Sequence, residues 1–218
     1  MNAPDSSRQC ILERIRRATA TVAKPPAELA DAYAALPRRY IRQGRLTAKE
    51  RIDLLMERLR EYDAEVVETS PDTLPAAIAA QLEASGKRIF AAPAALDRSY
   101  LANGFEWKID NGLTTGEIEL AEGVVTAASC AIADSGTIAL HHTASEGRRV
   151  VTLLPDWHLC ILRASQVVET LPEYFERFAN APALVTWISG PSATADIEMT
   201  RIKGVHGPRF LHVILVRD

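Results

Sequence analysis

The run at residues 210–216 (FLHVILV) constrains this chain more than any other stretch. It is almost wholly apolar and too short for an interior helix, so it reads as a central strand buried on both faces. The apolar run at residues 183–188 (ALVTWI) reads as a second strand. Between the two lies a loop of small residues, Ser189, Gly190, Pro191, Ser192, Ala193 and Thr194. A helix is predicted over residues 195–203, ending where Gly204 can take the left-handed position after the last turn. A tight turn at His206, Gly207 and Pro208 then enters the closing strand. Strand, loop, helix and strand make a βαβ unit, and open α/β sheets bind ligands outside the carboxyl ends of their strands. The loop is therefore expected at that edge, where hydroxyls and free N–H groups at a helix N-terminus suit a carboxylate or phosphate. Ser192 or Thr194 would serve equally as an ordinary helix cap. Asp196 and Glu198 near the helix start, with Arg201 and Lys203 near its end, are placed as the helix dipole favours.

The rest of the chain supports an α/β fold with a mainly parallel central sheet flanked by helices, preceded by an N-terminal helical segment. Residues 64–68, 71–85 and 88–92 alternate strand, helix and strand, the rhythm of a parallel sheet. Residues 97–123 are less regular, with turn signals at Asn103-Gly104 and Asn111-Gly112 and a strand end at residues 117–120. Strands are expected over the apolar residues 124–133, after the Asp134-Ser135-Gly136 turn at residues 137–141, and at residues 148–154 and 159–163. A helix with Pro172 in its first turn follows at residues 171–180. Upstream, residues 6–21 form a helix with Ile11, Leu12 and Ile15 beside Arg8, Arg14, Arg16 and Arg17. Thr47 and Glu50 form a capping box, and Ile52, Leu55, Met56 and Leu59 a buried stripe. The expected division is residues 1–60, helical, and 61–218, α/β.

Composition excludes several classes. A net charge of −3 over 218 residues and a pI near 6.0 give no reason to expect nucleic acid. No apolar run approaches the roughly 18 residues of a membrane span, and the start lacks the apolar core of a signal peptide, so a cytoplasmic home is expected. Cys10, Cys130 and Cys160 are scattered and make no C-x-x-C pair, so no iron–sulfur or structural zinc site is expected in this chain. His141 and His142 are adjacent, face opposite sides of a strand and cannot both ligate one metal. Dinucleotide, P-loop and nucleophile-elbow motifs are absent, and no cofactor is expected.

Two clusters could carry chemistry. Asp134, Ser135, Gly136 and Thr137 offer N–H groups and hydroxyls to an anion, or make an ordinary hairpin turn. In the C-terminal stretch Arg201 or Arg209 could grip a carboxylate bidentately, and Glu198 or His206 could move a proton. Glu198 and Arg201 are also spaced as a surface ion pair. The expectation is one pocket where Asp134, Ser135, Gly136 and Thr137 meet Ser189, Gly190, Ser192 and Thr194. Glu198, Arg201 and His206 would lie at its rim, and no metal is involved. Asp196 and Glu198 disfavour a highly charged phosphate, so the ligand should be a small carboxylate.

Taken together, ADSGT at residues 133–137, LLPD at 153–156 with His158, SGPS at 189–192, DIE at 196–198 and GVHGP at 204–208 resemble the LUD domain family. Within that family they are most similar to the C-type subunits of bacterial lactate-utilisation systems. The resemblance covers residues 60–218. It implies a fold like those of ribose-phosphate isomerases, sugar-phosphate deaminases and CoA-transferases. It also implies work beside an iron–sulfur protein and an oxidoreductase-like subunit that together oxidise L-lactate to pyruvate. The scattered cysteines agree with redox centres held in partner chains. The chain is then a subunit or accessory protein that binds a small carboxylate, with Glu198 and His206 as catalytic candidates. The alternative is a stand-alone isomerase or acyl- or CoA-handling enzyme of the same fold.

Overall fold

The computed structural model describes residues 4–20, 26–37, 39–180, 182, 184–194, 202–204 and 206–218. It forms two compact units, Met1–Tyr40 and Ile41–Asp218. The first carries α1 (Pro4–Thr19) and α2 (Pro26–Ala34), and in α1 Ile11 and Ile15 are exposed.

The second unit opens with α3 (Ala48–Glu61), started by the expected capping box. The Thr47 hydroxyl accepts the Glu50 N–H at 3.3 Å, and the Glu50 carboxylate accepts the Thr47 N–H at 2.9 Å. Ile52, Leu55, Met56 and Leu59 are all buried, each contributing roughly 1.5–3 kcal/mol relative to exposure. β1 (Glu65–Thr69), α4 (Leu74–Ala84), β2 (Ile89–Pro93), β3 (Glu106–Asp110), α5 (Thr115–Glu119) and β4 (Gly123–Ala127) follow. Next come β5 (Cys130–Ile132), β6 (Thr137–Leu140), β7 (Trp157–Arg163), β8 (Val167–Val168) and α6 (Leu171–Arg177). The chain closes with β9 (Thr186–Ile188), β10 (Ala193–Thr194), β11 (Ile202–Lys203) and β12 (Phe210–Val216).

Six strands form a wholly parallel sheet in the order β1-β12-β7-β4-β2-β3. The closing strand therefore lies inside it, between β1 and β7. Alternate residues feed opposite faces. Leu211, Val213 and Leu215, with Cys160 and Leu162, pack towards α3; Ile214 and Val216, with Leu159 and Ile161, pack against Leu74, Ile78 and Leu82 of α4. This is an α/β fold with a mainly parallel central sheet between helices. A second sheet, β8-β5-β6-β9, joins the α3 face, contributing Ala131, Ile138, Leu140 and Val167 to the same core. Here β5–β6 and β6–β9 are antiparallel.

Four local expectations are corrected. β9 belongs to the smaller sheet, so residues 183–216 do not make a βαβ unit; Trp187 is exposed between half-buried Thr186 and Ile188, a pattern that an antiparallel sheet with one solvated face allows. Residues 195–201 of the expected helix lie outside the described residues, and Ile202–Lys203 pairs with Ala193–Thr194 as strand. Residues 149–152 form a 3-10 turn, because both edges of β7 are already taken by β4 and β12 and Val151 packs instead with Ile118 and Val124. The stretch around Glu117 is helix, since a capping box with Thr114 starts α5. β3, unforeseen, covers the edge of β2.

Candidate functional site

Both small-residue loops lie against the end of α3. Gly136 has φ +61°, and a Cβ there would stand 2.7 Å from Arg58 Cβ; Gly190 has φ +83°, and a Cβ would stand 2.6 Å from Tyr62 Cβ. Glycine is required at both by backbone sign and by contact. Because α3 runs into the start of β1, this is the amino edge of the parallel sheet, not the carboxyl edge. The carboxyl-edge rule applies to loops leaving the parallel strands, and these leave β5 and β9 of the smaller sheet. The loops do touch. Thr137 Oγ1 lies 2.8 Å from Ser189 Oγ and 2.8 Å from Ser135 Oγ.

Beside that contact opens a cavity of about 250 Å³. His158 and Leu211, paired near the starts of β7 and β12, form its floor; Gly190, Pro191, Ser192 and Ala193 form one wall. His206, Gly207 and Pro208 close a second side, and Arg149, Thr152, Leu153, Thr186 and Ile188 the third. Ser192 ties the walls together. Its N–H donates to the Pro208 carbonyl at 2.8 Å, its carbonyl accepts the Gly204 N–H at 2.9 Å, and its hydroxyl accepts the His206 N–H at 3.2 Å. Arg209 is engaged by Asp156, with contacts at 2.5 and 2.8 Å, and is not a cavity residue. That hydrogen-bonded guanidinium holds the Asp156 carboxyl below the usual range.

The polar groups in the cavity have distinct states. Arg149 is exposed and donates from Nη1 to Thr186 Oγ1 at 2.8 Å. His158 is 1% exposed, its Nε2 lies 2.8 Å from Thr126 Oγ1, and burial pulls its pKa down to about 4. It is a neutral imidazole at neutral pH, able to share a hydrogen bond but not to add charge.

Two further hollows lie apart. Asp134, Ser135 and Thr137, with Ile132, Leu171, Phe175 and Trp187, line a largely apolar one of about 410 Å³. At the carboxyl edge, Pro93, Asp110, His142 and Arg148 line one of about 260 Å³. There Asp110 accepts from Arg148 Nε at 2.9 Å and Nη2 at 2.5 Å, which keeps its carboxyl below the ordinary range.

Of the residues expected at one pocket, Gly190, Ser192 and His206 line the first cavity, and Ser189 reaches towards the other loop. Asp134, Ser135 and Thr137 line the second hollow, Gly136 packs on Arg58, and Thr194 of β10 pairs with Ile202 of β11. Glu198 and Arg201 lie outside the described residues. Arg149, Thr152 and Thr186 were not singled out from the sequence. The available signal was the Arg148-Arg149 pair standing directly before the mainly apolar residues 150–154. Among the described residues no group of three or more His, Cys, Asp or Glu is placed to hold a metal ion, and no helix is long and apolar enough to cross a membrane.

A profile of the LUD domain matches residues 45–216. The chain belongs to the LUD domain family. The matched span takes in α3, both main sheets and all three hollows. Among the relatives of this LUD domain, "Lactate utilization protein C" of Deinococcus radiodurans is 38% identical over 175 residues, covering 78% of this chain and 82% of the relative. "Lactate utilization protein C" of Bacillus subtilis is 34% identical over 122 residues, 52% of this chain and 50% of the relative. A crystal structure of a DUF162 family protein from Deinococcus radiodurans superposes with a TM-score of 0.68 at 34% identity, covering 79% of this chain and 99% of that one.

Proposed function

We propose that this LUD domain protein acts in lactate utilisation, as a subunit or accessory protein of an iron–sulfur-dependent system that oxidises L-lactate, and that its amino-edge cavity binds a small carboxylate. The names of its relatives support the first part. The second rests on one observation: a guanidinium, Arg149, at a cavity of about 250 Å³ whose floor is a neutral histidine, His158. Arg149 would take the carboxylate, and His158 would share a hydrogen bond with a neighbouring hydroxyl or keto oxygen. Oxidation of lactate to pyruvate removes two electrons and two protons. The three scattered cysteines of this chain form no cluster motif, so the electron acceptors are assigned to an iron–sulfur protein and an oxidoreductase-like partner.

The test is calorimetric titration with sodium L-lactate and sodium pyruvate. A hydrogen bond to a charged group is worth about 1.5–3 kcal/mol, so Arg149→Gln should weaken binding by about tenfold or more. Unchanged affinity in that variant would remove the carboxylate site. Co-purification of the intact protein with iron-containing partners tests the subunit role.

A further inference from the structure

We infer that His142, which faces the carboxyl-edge hollow, is a positioning residue for Arg149 in the amino-edge cavity. The inference rests on the carboxylate reading of that cavity. His142 Nδ1 lies 2.9 Å from the Gly147 carbonyl, and His142 Nε2 lies 2.8 Å from Thr186 Oγ1. A carbonyl can only accept, so Nδ1 carries the hydrogen. In the tautomer whose single ring hydrogen is on Nδ1, Nε2 is then an acceptor, and the Thr186 hydroxyl donates to it. That turns the lone pairs of Thr186 towards Arg149, whose Nη1–H donates to them at 2.8 Å. Every hydrogen in the chain from Arg149 to Gly147 has one direction, set at the Gly147 end.

The imidazole is held firmly enough to act as a reference point. His142 sits at φ +55°, a left-handed backbone that non-glycine residues adopt only where their surroundings fix it. The surroundings here are one side chain, Glu146, 1% exposed, whose carboxylate accepts the His141 N–H at 2.7 Å and the Thr143 N–H at 3.0 Å. The backbone is thus clamped on both sides of His142. Thr186 is fixed by its own strand, opposite Leu140 of β6. An exposed arginine without such a tether loses side-chain freedom when a ligand captures it. One already held keeps more of the interaction as affinity.

The experiment compares Thr186→Val, His142→Asn and Arg149→Gln by calorimetry with sodium L-lactate and sodium pyruvate. Asparagine tolerates the left-handed backbone and is too short to bridge both Gly147 and Thr186, so it cuts the relay without straining the turn. Thr186→Val and His142→Asn should each weaken binding about threefold to tenfold, and neither should weaken it further in an Arg149→Gln background. Wild-type affinity in both single variants, beside a weakened Arg149→Gln, overturns the relay and leaves the carboxylate site standing. No effect of Arg149→Gln, or no binding by the wild type, removes the site instead. The relay is then judged without ligand, by ¹⁵N NMR of the His142 ring in the intact protein. A hydrogen on Nδ1, with an Nε2 resonance that moves in Thr186→Val, supports it; a neutral ring with its hydrogen on Nε2 overturns it.

Discussion

The two main sheets of the larger unit are held by different physics. In the parallel sheet, β12 buries six consecutive residues, Leu211 to Val216, and its alternate side chains enter apolar cores on both faces. The smaller sheet is made of strands of two to four residues, too short to hold register by burial alone. Its ends are fixed by side chains that bond to backbone or to one another: Glu146 on His141 and Thr143, His142 on Gly147 and Thr186, Thr137 on Ser189. The candidate cavity lies where the two sheets meet. The large sheet supplies its floor and the small one its polar wall, so the fold and the site respond to different substitutions.

The largest expected effect is in the parallel sheet. Ile214→Ala empties a fully buried position among Leu159, Ile161 and α4, and should destabilise by about 2–5 kcal/mol in urea unfolding. In the smaller sheet the corresponding change is polar. Glu146→Ala leaves two backbone N–H groups and the Ser129 hydroxyl, which donates at 2.5 Å, without their acceptor. A loss of about 2–3 kcal/mol is expected, with Glu146→Gln recovering part of it by keeping an acceptor oxygen. If Glu146→Ala is as stable as wild type, the polar account of the smaller sheet fails.

The seam between the sheets should show in pH. The His158 imidazole lies near 4 in the folded chain against an ordinary 6.5, through burial. The unfolded chain therefore binds the proton more tightly. Stability from this group is complete above pH 6.5 and is lost as pH falls towards 4, by roughly 2 kcal/mol at pH 5. His141 and His212 are lowered by burial too, and act in the same direction. Urea midpoints from pH 8 to pH 5 should slope less in His158→Gln than in wild type. Equal slopes would mean that the floor histidine is not the group being titrated.

The same contrast explains what could be read from the sequence. α3 was legible throughout, because its capping box and apolar stripe are local and periodic, and β12 because seven residues of strand carry one signal. β5 was read as one apolar run with β4 over residues 124–133, since nothing local marks the change of sheet between them, and β8, at two residues, is shorter than any period that could announce it. β9 was legible as strand but not as a member of the smaller sheet, since partner choice is non-local. Arg149 was hidden for a related reason: its partner Thr186 lies 37 positions away, and no local pattern links them. The motif loops were found as sequence, but the edge of the sheet they occupy depends on which sheet their strands join.

The smallest expected effect tests how far the two loops share a site. Ser135, Thr137 and Ser189 form a chain of hydroxyls, yet Ser135 and Thr137 line the apolar hollow while Gly190 and Ser192 line the cavity with Arg149. A net hydrogen bond between hydroxyls contributes about 0.5–1.5 kcal/mol, and Ser135 is exposed at the end of the hydroxyl chain, so Ser135→Ala should destabilise by less than about 1 kcal/mol. Its affinity for L-lactate should equal that of wild type, because the bond from Thr137 to Ser189 survives and no group facing Arg149 moves. A drop of tenfold with the melting temperature unchanged would place Ser135 in the ligand's own contacts. The two hollows would then be parts of one larger site, opened across the hydroxyl chain that here divides them.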